Sequence, residues 1–165
     1  MTRTPRRTTL VGAIVVTVVS SLALAGCSSG DPDTKTSAQQ GAGKPRLSVV
    51  DGFMPKPALT DMAGGFLTIV NKGGADKLIS MSSPLADEVM GHRTVGQKME
   101  HVASFDVPAN GELDFERGGN HLMFMQLSEL PKVGDKVEVD LTFEKAGKVK
   151  AELEVKEATY NPKNN

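Results

Sequence analysis

Cysteine is nearly missing from this chain: of its 165 residues, only Cys27 carries a thiol. No intramolecular disulfide can form, so a fold has to rest on its apolar core. Tryptophan is absent, tyrosine is confined to Tyr160, and aromatic residues make up 4% of the chain, which leaves Val, Leu, Ile, Phe and some of the Met to build that core. The formal net charge is −1 with the signs mixed along the chain. No basic face is therefore available for nucleic acid or a polyanionic partner. No Ser-His-Asp set, phosphate loop or paired-histidine zinc motif occurs, and an enzyme is not expected. Glu88 and Glu100 read as solvated charge, because no nucleophile or oxyanion loop accompanies them.

The N-terminus is where the long apolar run lies. Arg3, Arg6 and Arg7 precede an apolar segment from Leu10 to Ala25, which is short for a membrane span and ends in Leu24-Ala25-Gly26-Cys27. That ending resembles a bacterial lipobox, so residues 1–27 are expected to be a lipoprotein signal peptide. The resemblance implies that Cys27 is acylated and anchors the protein to the outer face of the cell membrane, with more than the single chain that would bind only marginally. Residues 28–45 are rich in Ser, Gly, Asp, Thr and Lys, the composition of a flexible linker. Residues 158–165 are read as a disordered tail.

Between them, residues 46–157 are the size of one domain. Short segments rich in β-branched and aromatic residues alternate with Gly, Pro, Asn and Asp: Leu47 to Asp51, Gly65 to Asn71, Lys77 to Ser82, Asp87 to Arg93, Lys98 to Val107, Glu112 to Glu116, His121 to Leu127, Lys136 to Glu144 and Val149 to Val155. This spacing predicts an all-β, antiparallel sandwich of seven to nine strands. Val137, Val139, Leu141 and Phe143 alternate for one buried face, and Val149, Ala151, Leu153 and Val155 repeat the pattern, as in a terminal hairpin. Met62 and Met81 are assigned to packing, and Met54, beside Pro55, is read as exposed at the start of the domain.

The chemistry concentrates in two segments. Alternation along Gly118-Gly119-Asn120-His121-Leu122-Met123-Phe124-Met125 puts His121, Met123 and Met125 on one side and Leu122 and Phe124 on the other. Imidazole with thioether is a soft donor set suited to Cu(I) rather than to Mg, Ca or Mn. A lone His-x-Met is by itself an ordinary packing choice. The segment 87–107 adds weight to the metal reading. If its turn is Thr94-Val95-Gly96-Gln97, His92 lies opposite Met99 and Met90 opposite His101, and all four donors share one face. Arg93, Lys98 and Glu100 fall on the alternate face, toward water.

Met99, twenty-one intervening residues, then His121-Leu122-Met123 resembles the later part of the pattern of the PCuAC family of periplasmic copper chaperones. Gly64-Gly65-Phe66-Leu67-Thr68-Ile69-Val70-Asn71, Ser82-Ser83-Pro84, Val107-Pro108-Ala109-Asn110-Gly111 and Gly134-Asp135 leading into Leu141 to Gly147 extend the likeness over most of the domain. In that family a His or Met stands ten intervening residues before the first Met of this pattern. Here that position is Glu88, a hard oxygen donor. Met90 takes the place if the hairpin is shorter by two residues, which preserves its facing, and His92 is the alternate.

The resemblance implies a cupredoxin-like or immunoglobulin-like sandwich that binds one Cu(I) through Met90 (or His92), Met99, His121 and Met123. It also implies delivery of that ion to cytochrome oxidase, whose binuclear copper centre would be loaded directly or through a Sco-type thiol protein. Two other classes compete. A non-catalytic surface lipoprotein could use the Met-rich edge as a protein contact. A blue-copper electron carrier needs a Cys with two His, and Cys27 is taken by lipid.

Overall fold

Period-two alternation builds nearly all of the domain. The computed structural model describes residues 43–162. The expected signal segment with Cys27, residues 28–42 of the expected linker and residues 163–165 lie outside the described residues. In chain order the strands are β1 (Leu47–Pro55), β2 (Met62–Asn71), β3 (Asp76–Ser83), β4 (Ala86–Val95), β5 (Lys98–His101), β6 (Phe105–Val107), β7 (Glu112–Phe115), β8 (Asn120–Leu127), β9 (Lys136–Phe143) and β10 (Gly147–Lys156). The all-β class holds, with one strand more than the upper expectation. The run from Lys98 to Val107 is divided: β5 pairs with β4, and after Val102-Ala103-Ser104 the chain crosses to β3 as β6.

β4, β8, β2, β1, β10, β9 and β3 pair in succession, and β3 pairs back onto β4, so the sheet closes on itself. β5, β6 and β7 hang on β4, β3 and β2 as short additions. Pairing is antiparallel except between β1 and β10, the first and last strands, which run side by side in the same direction from Phe53↔Glu154 to Pro55↔Lys156. β1 reaches both neighbours through a bulge, where Asp51 has φ 54° and the register with β2 shifts between Val50 and Phe53.

The inner faces meet in one core. Val137, Val139, Leu141 and Phe143 of β9, Ala151, Leu153 and Val155 of β10, and Leu122 and Phe124 of β8 are all buried. Each Val, Leu or Phe among them contributes about 1.5–3 kcal/mol by leaving water. The ion pairs Lys136–Glu152, Lys148–Asp140 and Lys150–Glu138 on the outside of the β9–β10 hairpin are solvent-exposed and add about 0–1 kcal/mol each.

Two expectations are corrected. Met54 is 0% exposed, because the shift in β1 turns it inward among Leu, Val and Phe. Tyr160, expected in a disordered tail, packs edge-on against Phe53 at 5.1 Å between ring centroids. Arg117 secures that return, donating to the carbonyl oxygens of Ala158 at 3.0 Å and Tyr160 at 3.2 Å.

Candidate metal centre

β4 and β8 run antiparallel, and their register decides what the outer face carries. His92 lies opposite His121 and Met90 opposite Met123, with Gly91↔Leu122 and Val89↔Phe124 interleaved on the core side. Gly91 is required there: a Cβ at this position would collide with the Phe105 ring. Phe105 in turn stacks edge-on with Phe115 at 4.9 Å. The inward side chains therefore press β4 and β8 onto the core and fix two rows of donors on the other side. One row is imidazole and the next is thioether.

Across β4 from β8 lies β5, where the expected register is corrected. His92 pairs with His101 and Thr94 with Met99, leaving a two-residue turn at Gly96-Gln97 instead of four residues. Gly96 has φ 62°, and a glycine at the first position of a two-residue turn matches the twist of a hairpin. The displacement is two residues, so parity survives and Met90, His92, Met99 and His101 still share a face. β5 is exposed along its whole length.

The structure thus brings Met90, His92, His121 and Met123 together. Met99 lies opposite Thr94 on β5, on the same face as His92, and is 64% exposed. The ring centroids of His92 and His121 are 5.8 Å apart, and those of His92 and His101 are 5.9 Å apart. All three histidines of the chain therefore stand in one line. Among the described residues, no three of His, Cys, Asp or Glu converge on a single metal position, so sulfur must complete any site here.

His121 is held for such a role. Its Nδ1 faces the Gly119 carbonyl oxygen at 3.2 Å. A carbonyl only accepts, so Nδ1 carries the proton and Nε2 keeps its lone pair, the arrangement common to ligating histidines. Nε2 is buried and has no hydrogen-bond partner, and the same is true of His92 Nδ1. The other buried polar side chains are satisfied by backbone. Asn71 accepts from Arg46 N and Gly73 N and donates to Gly74 O and Pro108 O. Asp76 accepts from Lys77 N, Lys145 N and Ala146 N, and Ser83 donates to Glu138 O. A buried polar atom left without a partner costs about 1–3 kcal/mol, so these two imidazole nitrogens stand apart from every other buried polar side chain described.

Residues not singled out in the sequence complete the surroundings. Gly64 of β2 lies opposite Met123 and offers no side chain to cover the thioether. Met62, read as packing, lies opposite Met125 on the same outer face one row further along. Phe66 walls the far side of His121, 6.5 Å between centroids, with the Arg117 guanidinium 5.4 Å above its ring. The alternation Met62-Gly64-Phe66 along β2 carries this signal in the sequence, but only once β2 is known to lie beside β8. Arg93 Nε donates to Asn120 Oδ1 at 3.0 Å and Thr94 N to Gly119 O at 3.1 Å, tying the two strands at the row of histidines.

Burial first, and then the neighbouring imidazoles of His121 and His101, push His92 below its ordinary pKa of 6.5. It is therefore neutral near pH 7 and able to donate its lone pair. Because the unfolded chain binds this proton more readily than the folded one, stability is complete above the unfolded value and is lost as pH falls below it. Urea unfolding of the metal-free protein is expected to show stability falling as pH drops below about 6.5, with a shallower slope in His92→Gln. Equal slopes in the two proteins would remove His92 as the source.

Residues 47–155 match the family of LpqE-like lipoproteins. No curated protein matches the chain. Among solved structures, the copper-bound PCuAC domain from PmoF2 matches with a TM-score of 0.61 at 22% identity, covering 69% of this chain and 95% of that one. The apo PCuAC domain from PmoF1 matches at 0.61 and 23%, covering 69% and 96%. The solution structure of Cu(I)-DR1885 from Deinococcus radiodurans matches at 0.55 and 26%, covering 76% and 85%. The two PCuAC domains share the fold of this chain, and the third similarity includes somewhat more of its sequence.

Proposed function

The chain belongs to the LpqE-like lipoproteins, a family of PCuAC type, and on that premise we propose that it is an extracytoplasmic copper chaperone. It holds one Cu(I) between β4 and β8 and surrenders it to an acceptor. The observation that carries this reading is the double register His92↔His121 and Met90↔Met123, with the Nε2 of His121 buried and unpartnered beside it. Two imidazoles and two thioethers form a soft set matched to a monovalent coinage-metal ion. The thioethers are weak donors, which suits a protein that must release its cargo by ligand exchange.

Several finer points belong to the same proposal. Acylation at Cys27 would hold the domain at the membrane surface, within reach of membrane-bound acceptors. The acceptor would be a thiol protein of Sco type or the oxidase subunit that carries the binuclear copper centre, toward whose thiolates Cu(I) moves downhill. The domain itself contains no cysteine, so nothing in it competes for the ion at that step. The protein performs no catalysis in this role.

Anaerobic titration with Cu(I) against a competing chelator tests the proposal. One equivalent should be retained, and absence of retention would leave the contact-surface reading in its place. Single substitutions rank the donors. Met90→Ala is expected to weaken retention about tenfold, and His92→Ala by less. The reverse order would make the imidazole of His92 the stronger of the two ligands.

A further inference from the structure

The carbonyl that orients His121 belongs to a turn, and the end of the chain clamps that turn. Glu116-Arg117-Gly118-Gly119 joins β7 to β8. Gly119 N donates to Glu116 O at 3.0 Å and Gly118 has φ 80°, the positive third position of a type II turn. The fourth residue, Gly119, presents its carbonyl oxygen to His121 Nδ1 at 3.2 Å while accepting from Thr94 N at 3.1 Å. The second residue, Arg117, donates through Nη2 to the carbonyl oxygens of Ala158 at 3.0 Å and Tyr160 at 3.2 Å. Its guanidinium also lies 5.4 Å over the Phe66 ring.

A file of rings links the same two places by a second route. Tyr160 stands edge-on to Phe53 at 5.1 Å, Phe53 stacks on Phe66 at 5.1 Å with 29° between their planes, and Phe66 is tilted against His121 at 6.5 Å. Phe53 and Phe66 are buried, and Tyr160 is half-buried. Close-packed rings hold one another in place, so loss of the outermost ring loosens the next.

We propose that Arg117 and Tyr160 are positioning residues for His121, and that residues 158–160 form a strap that acts on its ring. Through the guanidinium the strap fixes the turn, and with it the Gly119 carbonyl. Through Phe53 and Phe66 it fixes the plane of the imidazole. With the strap in place Nδ1 carries the proton and Nε2 presents its lone pair. Without it the carbonyl is free to turn away, and the neutral ring exchanges between its two tautomers, of which only one offers Nε2. The value of this device to Cu(I) rests on the proposed function, in which His121 is a ligand, but its action on the ring does not need the ion.

The full chain, metal-free and at about pH 8, above the ordinary imidazole range, reports the ring directly. Nitrogen chemical shifts of His121, read by proton–nitrogen NMR correlation, distinguish Nδ1–H from Nε2–H. The parent is expected to show Nδ1–H alone. Tyr160→Ala and Arg117→Ala are each expected to show mixed tautomers and to weaken Cu(I) retention against bicinchoninate about tenfold, the lower end for loss of a group that supports a ligand. Tyr160→Phe keeps the ring and should restore both. Urea unfolding is measured alongside, because a side chain that only stabilises the domain would lower the midpoint and leave the tautomer and the affinity as in the parent. That result overturns the strap. Weaker retention with His121 still protonated at Nδ1 alone also overturns it, since the loss would then run through another donor. If the parent chain fails to retain Cu(I), the proposed function falls, while the tautomers of the metal-free variants still decide the strap.

Discussion

Alanine at both 121 and 123 is expected to lower Cu(I) retention by two orders of magnitude or more, roughly, while the domain stays folded. Loss of a residue that merely supports a ligand costs about 10–100-fold in metal affinity, and in the proposed site two direct donors go. His121 is the donor whose lone pair is both buried and aimed by the Gly119 carbonyl. Met123 is the donor left uncovered by Gly64. What remains is Met90 and His92 on a single strand, too few to compete with a chelator. Anaerobic competition measures this directly. Uptake equal to that of the parent chain would turn the Met-rich edge into a contact surface and end the chaperone reading.

Phe124→Ala is expected to destabilise the domain by about 3–5 kcal/mol, through the lost transfer of the ring and the cavity left behind. Phe124 is 0% exposed, and its ring edge lies where a Cβ on Gly65 would be, 2.7 Å away. β2 and β8 are thus packed as closely as a ring against bare backbone allows, and neighbouring groups have little freedom to fill the gap. Against a total stability of about 5–15 kcal/mol for such domains, much of the margin disappears. Urea denaturation measures it, and a loss below about 1 kcal/mol would mean that the core closes over the space. Phe124 points away from Met123 and Met125, so the molecules that remain folded should still take up Cu(I). The two substitutions together separate the face that holds the domain from the face that holds the ion.

The parts of this arrangement legible in the sequence are those set by strict alternation. β8, β9 and β10 present the expected residues inward, and Leu122 and Phe124 divide from His121 and Met123 as a period of two requires. The β4–β5 register is not legible in the sequence, because four residues and two residues around Gly96 conserve the same parity, and parity is all that the donor spacing reports. Pairings between distant strands leave no local trace. The parallel contact of β1 with β10, the turn inward of Met54 after the bulge at Asp51, and the neighbourhood of β2 and β8 that brings Gly64 and Phe66 to the site each depend on closure of the whole sheet. Tyr160 lies beyond the last strand, where composition resembles a loose end, and only Arg117 and Phe53 show why it returns.

The circuit β4-β8-β2-β1-β10-β9-β3 and back to β4 is completed by main-chain pairing alone, and no bond to a cation is a link in it. The strands that carry His92 and His121 are thus set side by side by their own backbone, and the row of imidazoles stands ready before any ion arrives.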